Sequence, residues 1–348
     1  MKFLHSADWH LDSPLPGKDP ELQEALLALP FRVAQAAKQE GVQLLLLSGD
    51  IFDGPASRQS LGALQEALGT LDIPVCIAPG NHDPFTADSV WNREFWPENV
   101  RIFTRQTPES FVFPELNCRV WGAAFLAAEA PALLENFRAR GSETWQIGLF
   151  HGDPTQAASV YNPVTADHIR NSGLHYLALG HIHKGGKLTF GDTLCAWPGC
   201  PMGRGFDETG IKGVLSVTLE PEHGDIRFLP LDGPRFYDET AQPRDLEKIL
   251  PALGNRDHYR ITLVGESEPV DLRALQKEYA HFPNLTLRDR TVPPLDLWAS
   301  AGRDTLEGIY FGLLKDALED ATPEETRQIL LAAKLSRQLL EGQEVQLP

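Results

Sequence analysis

Apolar residues in the first half of the chain come in short unbroken runs: Phe3–Leu4, Leu44–Leu47, Val75–Ala78, Ile147–Phe150 and Tyr176–Leu179. Runs without polar alternation suit strands buried on both faces, as in a parallel sheet covered by helices. Between the first two runs, Glu21 to Glu40 has helical spacing, interrupted or kinked at Pro30, whose ring removes a backbone donor. Between the next two, Ser57 opens a helix that carries Leu61, Leu64 and Leu68 on one face. The order is βαβαβ, and it predicts an α/β fold. Later strands are expected at Leu194–Trp197, Val214–Leu219 and Ile226–Leu229, with no helix between the last two. Pro and Gly punctuation there predicts an antiparallel second sheet.

The pattern changes around Asp232–Gly233–Pro234. Tyr259–Val264 reads as a strand, Asp271–Tyr279 as a helix and Leu285–Leu287 as a strand, which together suit a small α/β unit. After Pro293–Pro294 the chain turns helical, first over Leu306 to Leu318 and then from Pro323, with Ile329, Leu330, Ala333 and Leu339 as an apolar stripe. The expected domains are therefore residues 1–235, a small capping or DNA-binding unit over 236–292, and a helical segment over 293–348. Its helices either pack on their own domain or dock a partner.

Composition narrows the class. A chain of 348 residues exceeds one ordinary domain of about 150. Its charge, 31 − 48 = −17, argues against a free-standing protein that grips nucleic acid by broad phosphate neutralisation. Hydrophobic content of 42% excludes a disordered chain. The opening MKFLHSADWH has no apolar leader, and no apolar stretch is long enough to span a bilayer, so a cytoplasmic address is expected. Cys76, Cys118, Cys195 and Cys200 lie scattered without a CxxC pair and read as reduced core thiols.

Polar clusters follow directly on the apolar runs: Asp8-Trp9-His10, Gly49-Asp50-Ile51-Phe52-Asp53, Gly80-Asn81-His82-Asp83, His151-Gly152 and Gly180-His181-Ile182-His183. Strand ends on one side of an α/β sheet form the ligand crevice, so clusters remote in sequence can converge. Carboxylate, imidazole and one Asn amide make a mixed O/N donor set suited to manganese, iron or zinc, whereas calcium and lone magnesium prefer oxygen. Using Asp8, His10, Asp50, Asn81, His151, His181 and His183 takes two ions. The i, i+2 pairs Asp8-x-His10 and His181-x-His183 either aim two side chains the same way from an extended chain or serve adjacent ions where it leaves the strand. Glycines beside them permit tight turns and close approach of a phosphate.

D-x-H, G-D-x-x-D, G-N-H-D, H-G and G-H-x-H in this order resemble the calcineurin-like metallophosphoesterases. The opening Phe3-Leu4-His5-Ser6-Ala7-Asp8-Trp9-His10-Leu11, with Ser48-Gly49-Asp50-Ile51-Phe52-Asp53, is similar to their DNA repair exonuclease branch, which includes SbcD and the YhaO-like proteins. The segment from Trp197-Pro198-Gly199 through Arg204 and Glu208 to Lys212-Gly213 resembles the YhaO-like members. This resemblance implies a two-sheet βαβ sandwich flanked by helices, with a smaller C-terminal α/β and helical region. It implies one ion on Asp8, His10, Asp50 and His183 and another on Asp50, Asn81, His151 and His181, manganese first, with iron, zinc or magnesium as alternatives. A bridging Asp50 would offset the repulsion between cations, which together acidify a shared water.

Adjacent side chains diverge, so His82 next to Asn81 is the catalytic candidate, steadying phosphoryl oxygens or protonating the leaving oxygen. Asp53 and Asp83 either orient an imidazole or serve as turns and caps. Asp53 stands where archaeal relatives carry histidine, and Asp153 adds charge where these nucleases often have a small hydroxyl residue. His5, His168 and His175 read as packing or surface residues. Arg204, Lys184, Lys187 and Arg58 are candidate phosphate contacts or ordinary surface charges, Arg204 being the substrate-binding choice. The implied activity is a DNA nuclease, exonuclease on ends and endonuclease on single strands, a homodimer working with an SbcC-like coiled-coil ATPase and no membrane. The alternatives are hydrolysis of small phosphodiesters or phosphomonoesters such as cyclic nucleotides, and a non-catalytic scaffold.

Overall fold

A computed structural model describes residues 1–15, 19–221, 223–251 and 255–342. The chain divides into two compact units, Met1–Asp238 with Arg256–Tyr259, and Glu239–Asn255 with Arg260–Pro348.

The first unit begins β1 (Lys2–Ser6), α1 (Pro20–Leu27), α2 (Leu29–Glu40), β2 (Leu45–Leu47), α3 (Arg58–Gly69), β3 (Val75–Ile77), α4 (Val90–Arg93) and β4 (Val100–Ile102). It continues through β5 (Glu109–Phe113), β6 (Cys118–Gly122), β7 (Trp145–His151), α5 (Ala166–Asn171), β8 (Tyr176–Gly180), β9 (Lys184–Phe190), β10 (Thr193–Gly199), β11 (Gly213–Glu220) and β12 (His223–Pro230). One sheet has the order β12-β11-β1-β2-β3-β4 and the other β5-β6-β7-β8-β10-β9. Strands β1 to β4 are parallel, as are β6, β7, β8 and β10.

The unbroken apolar runs have the double use their pattern implies. Phe3, Leu44, Leu46, Cys76 and Ala78 meet Val120, Ile147, Leu149 and Tyr176 between the two sheets. Their neighbours Leu4, Leu45, Leu47, Val75 and Ile77 pack with Leu22 and Val33 of α1 and α2 and Leu64 and Leu68 of α3. Phe150, Leu177 and Leu179 form a third cluster with Ile169 of α5. Each fully buried Leu, Phe or Val contributes about 1.5–3 kcal/mol of transfer free energy, so both sheet faces stabilise the sandwich. The four cysteines are buried and free.

Locally the expectations transfer well. Ser57 caps α3 by accepting from Ser60 N–H at 3.1 Å. The break in the first helical stretch falls at Ala28, and Pro30 sits in the first turn of α2, where its missing N–H leaves no intrahelical bond unmade. The antiparallel second sheet is a correction. Val214–Leu219 and Ile226–Leu229 lie in β11 and β12, which do pair antiparallel but extend the first sheet, Phe3 lying opposite Val217. Leu194–Trp197 lies in β10 of the second sheet, parallel to β8. Turn residues specify a hairpin; the strand beside which it docks is set by long-range packing that local punctuation does not encode.

The rest of the chain forms β13 (Phe236–Ala241), α6 (Leu246–Ile249), β14 (His258–Leu263), α7 (Leu272–Glu278), β15 (Leu285–Asp289), α8 (Leu306–Asp316) and α9 (Pro323–Leu340). The sheet order is β13-β14-β15. Thr322 and Glu325 close a reciprocal capping box at the start of α9. The predicted stripe on α9 needs correcting, because Ala333 is buried while Leu330 and Leu339 are exposed. The buried face centres on Ala333 and Arg337. Arg337 lies 4.1 Å from the Phe311 ring centroid and donates to Ser300 Oγ at 2.7 Å and Leu297 O at 3.2 Å. The end of the predicted helical segment, residues 343–348, lies outside the described residues.

Candidate metal centre

Each predicted cluster stands where a strand ends. Asp8 and His10 follow β1, Asp50 follows β2, Asn81 and His82 follow β3, His151 ends β7, and His181 and His183 follow β8. Strands of both sheets contribute, so the site lies at one edge of the sandwich. Asp8, His10, Asp50 and His181 adopt left-handed backbone, with φ of 55°, 47°, 52° and 88°. Such a conformation costs a non-glycine residue about 1–3 kcal/mol and persists only where the surroundings fix it. Here the loops fix one another: Asp8 N–H donates to Gly49 O at 3.0 Å, His10 N–H to Asp50 O at 2.9 Å, and His181 N–H to Asp8 Oδ1 at 2.8 Å. The Asp8-x-His10 pair is thus a chain turning away from its strand.

The glycines allow these loops to touch. A Cβ on Gly80 would strike the Asp50 carboxylate and one on Gly180 would strike Ser48 O. At these two positions protein atoms fill the space, so a phosphate has no room there, contrary to the expectation from sequence.

Among the described residues three overlapping donor groups result, two of them Asp8, His10 and His183, and Asp50, His151 and His181. In the first, His10 Nε2 and His183 Nε2 face each other at 3.1 Å. In the second, Asn81 Oδ1 lies 2.8 Å from His151 Nε2 and 3.1 Å from His181 Nδ1. Asp50 Oδ2 reaches both, 3.7 Å from His10 Nε2 and 3.3 Å from His151 Nε2. His82 also comes near, its ring centroid 4.7 Å from that of His10, and it forms a third donor group with His10 and Asp50. Its side chain is 46% exposed, whereas His10 and Asp50 are buried.

Residues behind the donors hold them. Asp53 Oδ1 lies 2.7 Å from His82 Nδ1 and 3.4 Å from His10 Nδ1. Buried Asp83 accepts N–H bonds from Gly80, Asp50, Ile51 and Phe52, tying two of the loops together. Ser48 O lies 2.9 Å from His151 Nδ1, and Asn162 donates to His151 O at 2.7 Å. Glu208, missed as a functional residue, lies 2.7 Å from His183 Nδ1 and also binds the Arg204 guanidinium. Its sequence signal is its place four residues after Arg204 in the glycine-rich turn. Arg204 is therefore part of this bracing, with Nη2 3.3 Å from His183 Nδ1. Arg58 opens α3 and is exposed.

Asp153 is used within its own turn, accepting from Thr155 and Gln156. His5 is fully buried between Tyr176 Oη and Ser48 Oγ, at 2.9 and 2.7 Å, and burial holds its pKa down to about 3. His168 completes the cap of α5, and His175 Nδ1 accepts from Gln146 N–H at 3.1 Å.

The electrostatics suit cations. Burial pushes the Asp8 carboxyl up to about 6, with Asp50 adding to the effect and His151 opposing it. Burial opposes the imidazolium of His151, yet Asp50 and Asp8 hold its pKa up at about 9. Burial holds His10 and His181 neutral, at about 3 and 4. Neutral imidazole is the ligating form. Asp8 Oδ2 is buried without a hydrogen-bond partner. An orphaned carboxylate oxygen among imidazole nitrogens is costly unless a cation meets it, so the donor set fits divalent metal.

A two-sheet α/β sandwich with this O/N donor set at its strand ends has the makings of a metal-binding site. Residues 1–185 match the calcineurin-like phosphoesterase family, and the chain belongs to it. The uncharacterized metallophosphoesterase YhaO of Bacillus subtilis (strain 168) is 35% identical over 246 residues, 66% of this chain and 59% of that protein. This chain thus spans less than two thirds of YhaO. The SbcD subunit of the SbcCD nuclease from Staphylococcus epidermidis is 25% identical over 291 residues, 72% of each chain. Among solved structures, a dimetal phosphatase from Danio rerio matches with a TM-score of 0.43 and 14% identity, covering 66% of this chain and 96% of that one. A Thermus thermophilus protein matches with a TM-score of 0.41 and 13% identity, covering 65% and 98%. Among the described residues, no helix is long and apolar enough to cross a membrane.

Proposed function

We propose that this phosphoesterase is a metal-dependent DNA nuclease of repair and recombination, cutting ends as an exonuclease and single strands as an endonuclease. The observation that carries the metal chemistry is the convergence of Asp8, His10 and His183 beside Asp50, Asn81, His151 and His181, with Asp8 Oδ2 buried and unpartnered. DNA as substrate is supported by the likeness to a nuclease subunit over 72% of the chain.

In this reading Asp8, His10, Asp50 and His183 hold one ion, and Asp50, Asn81, His151 and His181 the other, manganese being the first choice. Bound there, two cations supply Lewis acidity toward phosphoryl oxygens and lower the pKa of water. Asp50 Oδ2 lies within reach of donors from both groups, so Asp50 would help to hold both ions. Asp53 accepts from Nδ1–H of His82, which leaves Nε2 of that exposed ring to steady phosphoryl oxygens or give a proton to the leaving oxygen. Arg204, with Nε and Nη2 on Glu208, keeps Nη1 for a phosphate.

With a net charge of −17, the chain alone binds a duplex weakly, and a coiled-coil ATPase of the SbcC kind would supply the grip. Residues 293–348 are the proposed docking segment and 236–292 a capping unit. Support comes from α8, where Leu306, Ile309, Tyr310 and Leu313, at i, i+3, i+4 and i+7, remain exposed. A cytoplasmic homodimer completes the reading. Assay with Mn²⁺ on labelled single-stranded and duplex DNA, beside bis-p-nitrophenyl phosphate and cyclic AMP, tests it. DNA cleavage is expected; hydrolysis of the small diesters with DNA intact would establish a small-molecule phosphodiesterase instead.

A further inference from the structure

A groove of about 420 Å³ opens beside His183, where β9 and β10 of one sheet part from β11 and β12 of the other. Its volume is in the range of about 300–1,000 Å³ typical of small-ligand sites, enough for one nucleotide unit. Apolar surface comes from Trp197, Leu215, Ile226 and Phe228, and cations come from Lys184, Lys187 and Lys212. Among the described residues none of these ammonium groups is in a salt bridge, although acidic side chains outnumber basic ones 48 to 31 over the whole chain. Three unneutralised lysines in one groove form a basic island on an acidic protein.

The groove is built rather than loose. Trp197 Nε1 donates to Lys184 O at 3.0 Å, and the indole lies so close over Gly186 that a Cβ there would enter the ring. That contact presses the edge strand β9 onto Trp197 and fixes the backbone that carries Lys184 and Lys187. On the other wall Phe228 is 42% and Ile211 54% exposed, an apolar platform next to the lysines. Stacking surface with flanking cations is the chemistry that holds single-stranded nucleic acid without reading its sequence. Bis-p-nitrophenyl phosphate carries neither a second phosphate nor a nucleobase, so it would leave this groove unused.

We infer that the groove binds the nucleotide adjoining the scissile phosphate of a single DNA strand, its base against Phe228 and its phosphate among Lys184, Lys187 and Lys212. This rests on the nuclease reading and specifies its substrate as a strand. The test uses the full chain and a fluorescein-labelled oligothymidylate, with anisotropy measured in EDTA at low salt so that no cleavage occurs. Lys187→Gln with Lys212→Gln should weaken binding at least about fivefold and shrink the slope of log K against log [salt] by up to about 0.7, the share of one single-strand phosphate. Phe228→Ala should weaken it by roughly fivefold, since one base stack is worth about 1–3 kcal/mol. In Mn²⁺, the double variant should lower kcat/KM for the oligonucleotide about tenfold relative to its kcat/KM for bis-p-nitrophenyl phosphate.

Unchanged oligonucleotide binding in these variants, or no binding by the unaltered protein, overturns the groove assignment even if DNA is cut. If the unaltered protein binds the strand through these residues yet leaves DNA intact in Mn²⁺, the nuclease reading fails and the groove stands as a nucleotide site. A proportionate loss on both substrates also overturns the assignment, because it marks damage to the centre itself.

Discussion

The strand-end loops of the first unit and the helix pair α8 and α9 of the second solve opposite problems. Around the candidate centre, polar groups are buried and apolar ones are hidden beneath them: Asp8, His10, Asp50 and His151 have almost no exposure. On α8 the apolar groups are outside, with Leu306 87% and Leu313 65% exposed, while the charged Arg337 is buried. Buried polar groups are tolerable only when each finds partners, and the loops supply them through Glu208, Asp53, Asp83 and Ser48 O. Among the described residues, Asp8 Oδ2 at the candidate centre is left without a hydrogen-bond partner, and so are Arg337 Nε and Gln338 Oε1 on α9. The exposed leucines of α8 follow helical spacing. The first region buries a donor set that fits a metal ion, and the second leaves apolar side chains exposed.

The largest effect should come from Asp50, whose carboxylate reaches both donor groups. Asp50→Ala should remove bound Mn²⁺, measured by elemental analysis, and lower phosphodiester hydrolysis by roughly 10³-fold or more. Two ions retained per chain would undo the bridging role. Next is His82, exposed and oriented by Asp53. His82→Ala should keep its metal content but slow turnover by about 10²-fold. Metal loss equal to that of Asp50→Ala would make His82 a ligand, a role its nearness to His10 and Asp50 leaves room for.

Glu208→Gln comes third. It removes the charge behind His183, and titration should show metal affinity down by about 10-fold to 100-fold, as for other groups that hold a ligating imidazole. The smallest effect should fall on the other region. Leu306→Gln with Leu313→Gln should change folding stability by no more than about 0.5 kcal/mol, read from urea unfolding, because neither side chain is packed. A loss of several kcal/mol would show that α8 is covered within this chain and would dissolve the contrast.

Much of the first unit was legible because its instructions are local. Unbroken apolar runs predict buried strands, Ser57 marks a helix start, Pro30 marks an interruption in the first helical stretch, and polar residues just past a strand point into the crevice. The docking of β11 and β12 beside β1 was not legible, since pairing Phe3 with Val217 is a choice among edges that no nearby residue encodes. The stripe on α9 failed for a related reason: a helix shows which faces are apolar, but the neighbour selects the face to bury, and Phe311 with Ser300 selected Arg337.

The donors themselves were readable from residue type, order and position after strands. Their grouping came from the fold. Asp8 and His183 meet because two sheets, far apart in sequence, end at the same edge, and the left-handed turns at Asp8, His10, Asp50 and His181 depend on loops that brace one another. Glu208 behind His183, Asp83 beneath two loops and the lysine groove beside them are equally nonlocal. Which chemical groups are present and which elements carry them depends on near neighbours, and so can be read along the chain. Which donors come together, which carboxylate steadies which imidazole and which leucines stay outside depends on distances between remote segments, which exist only once the sheets and helices are packed.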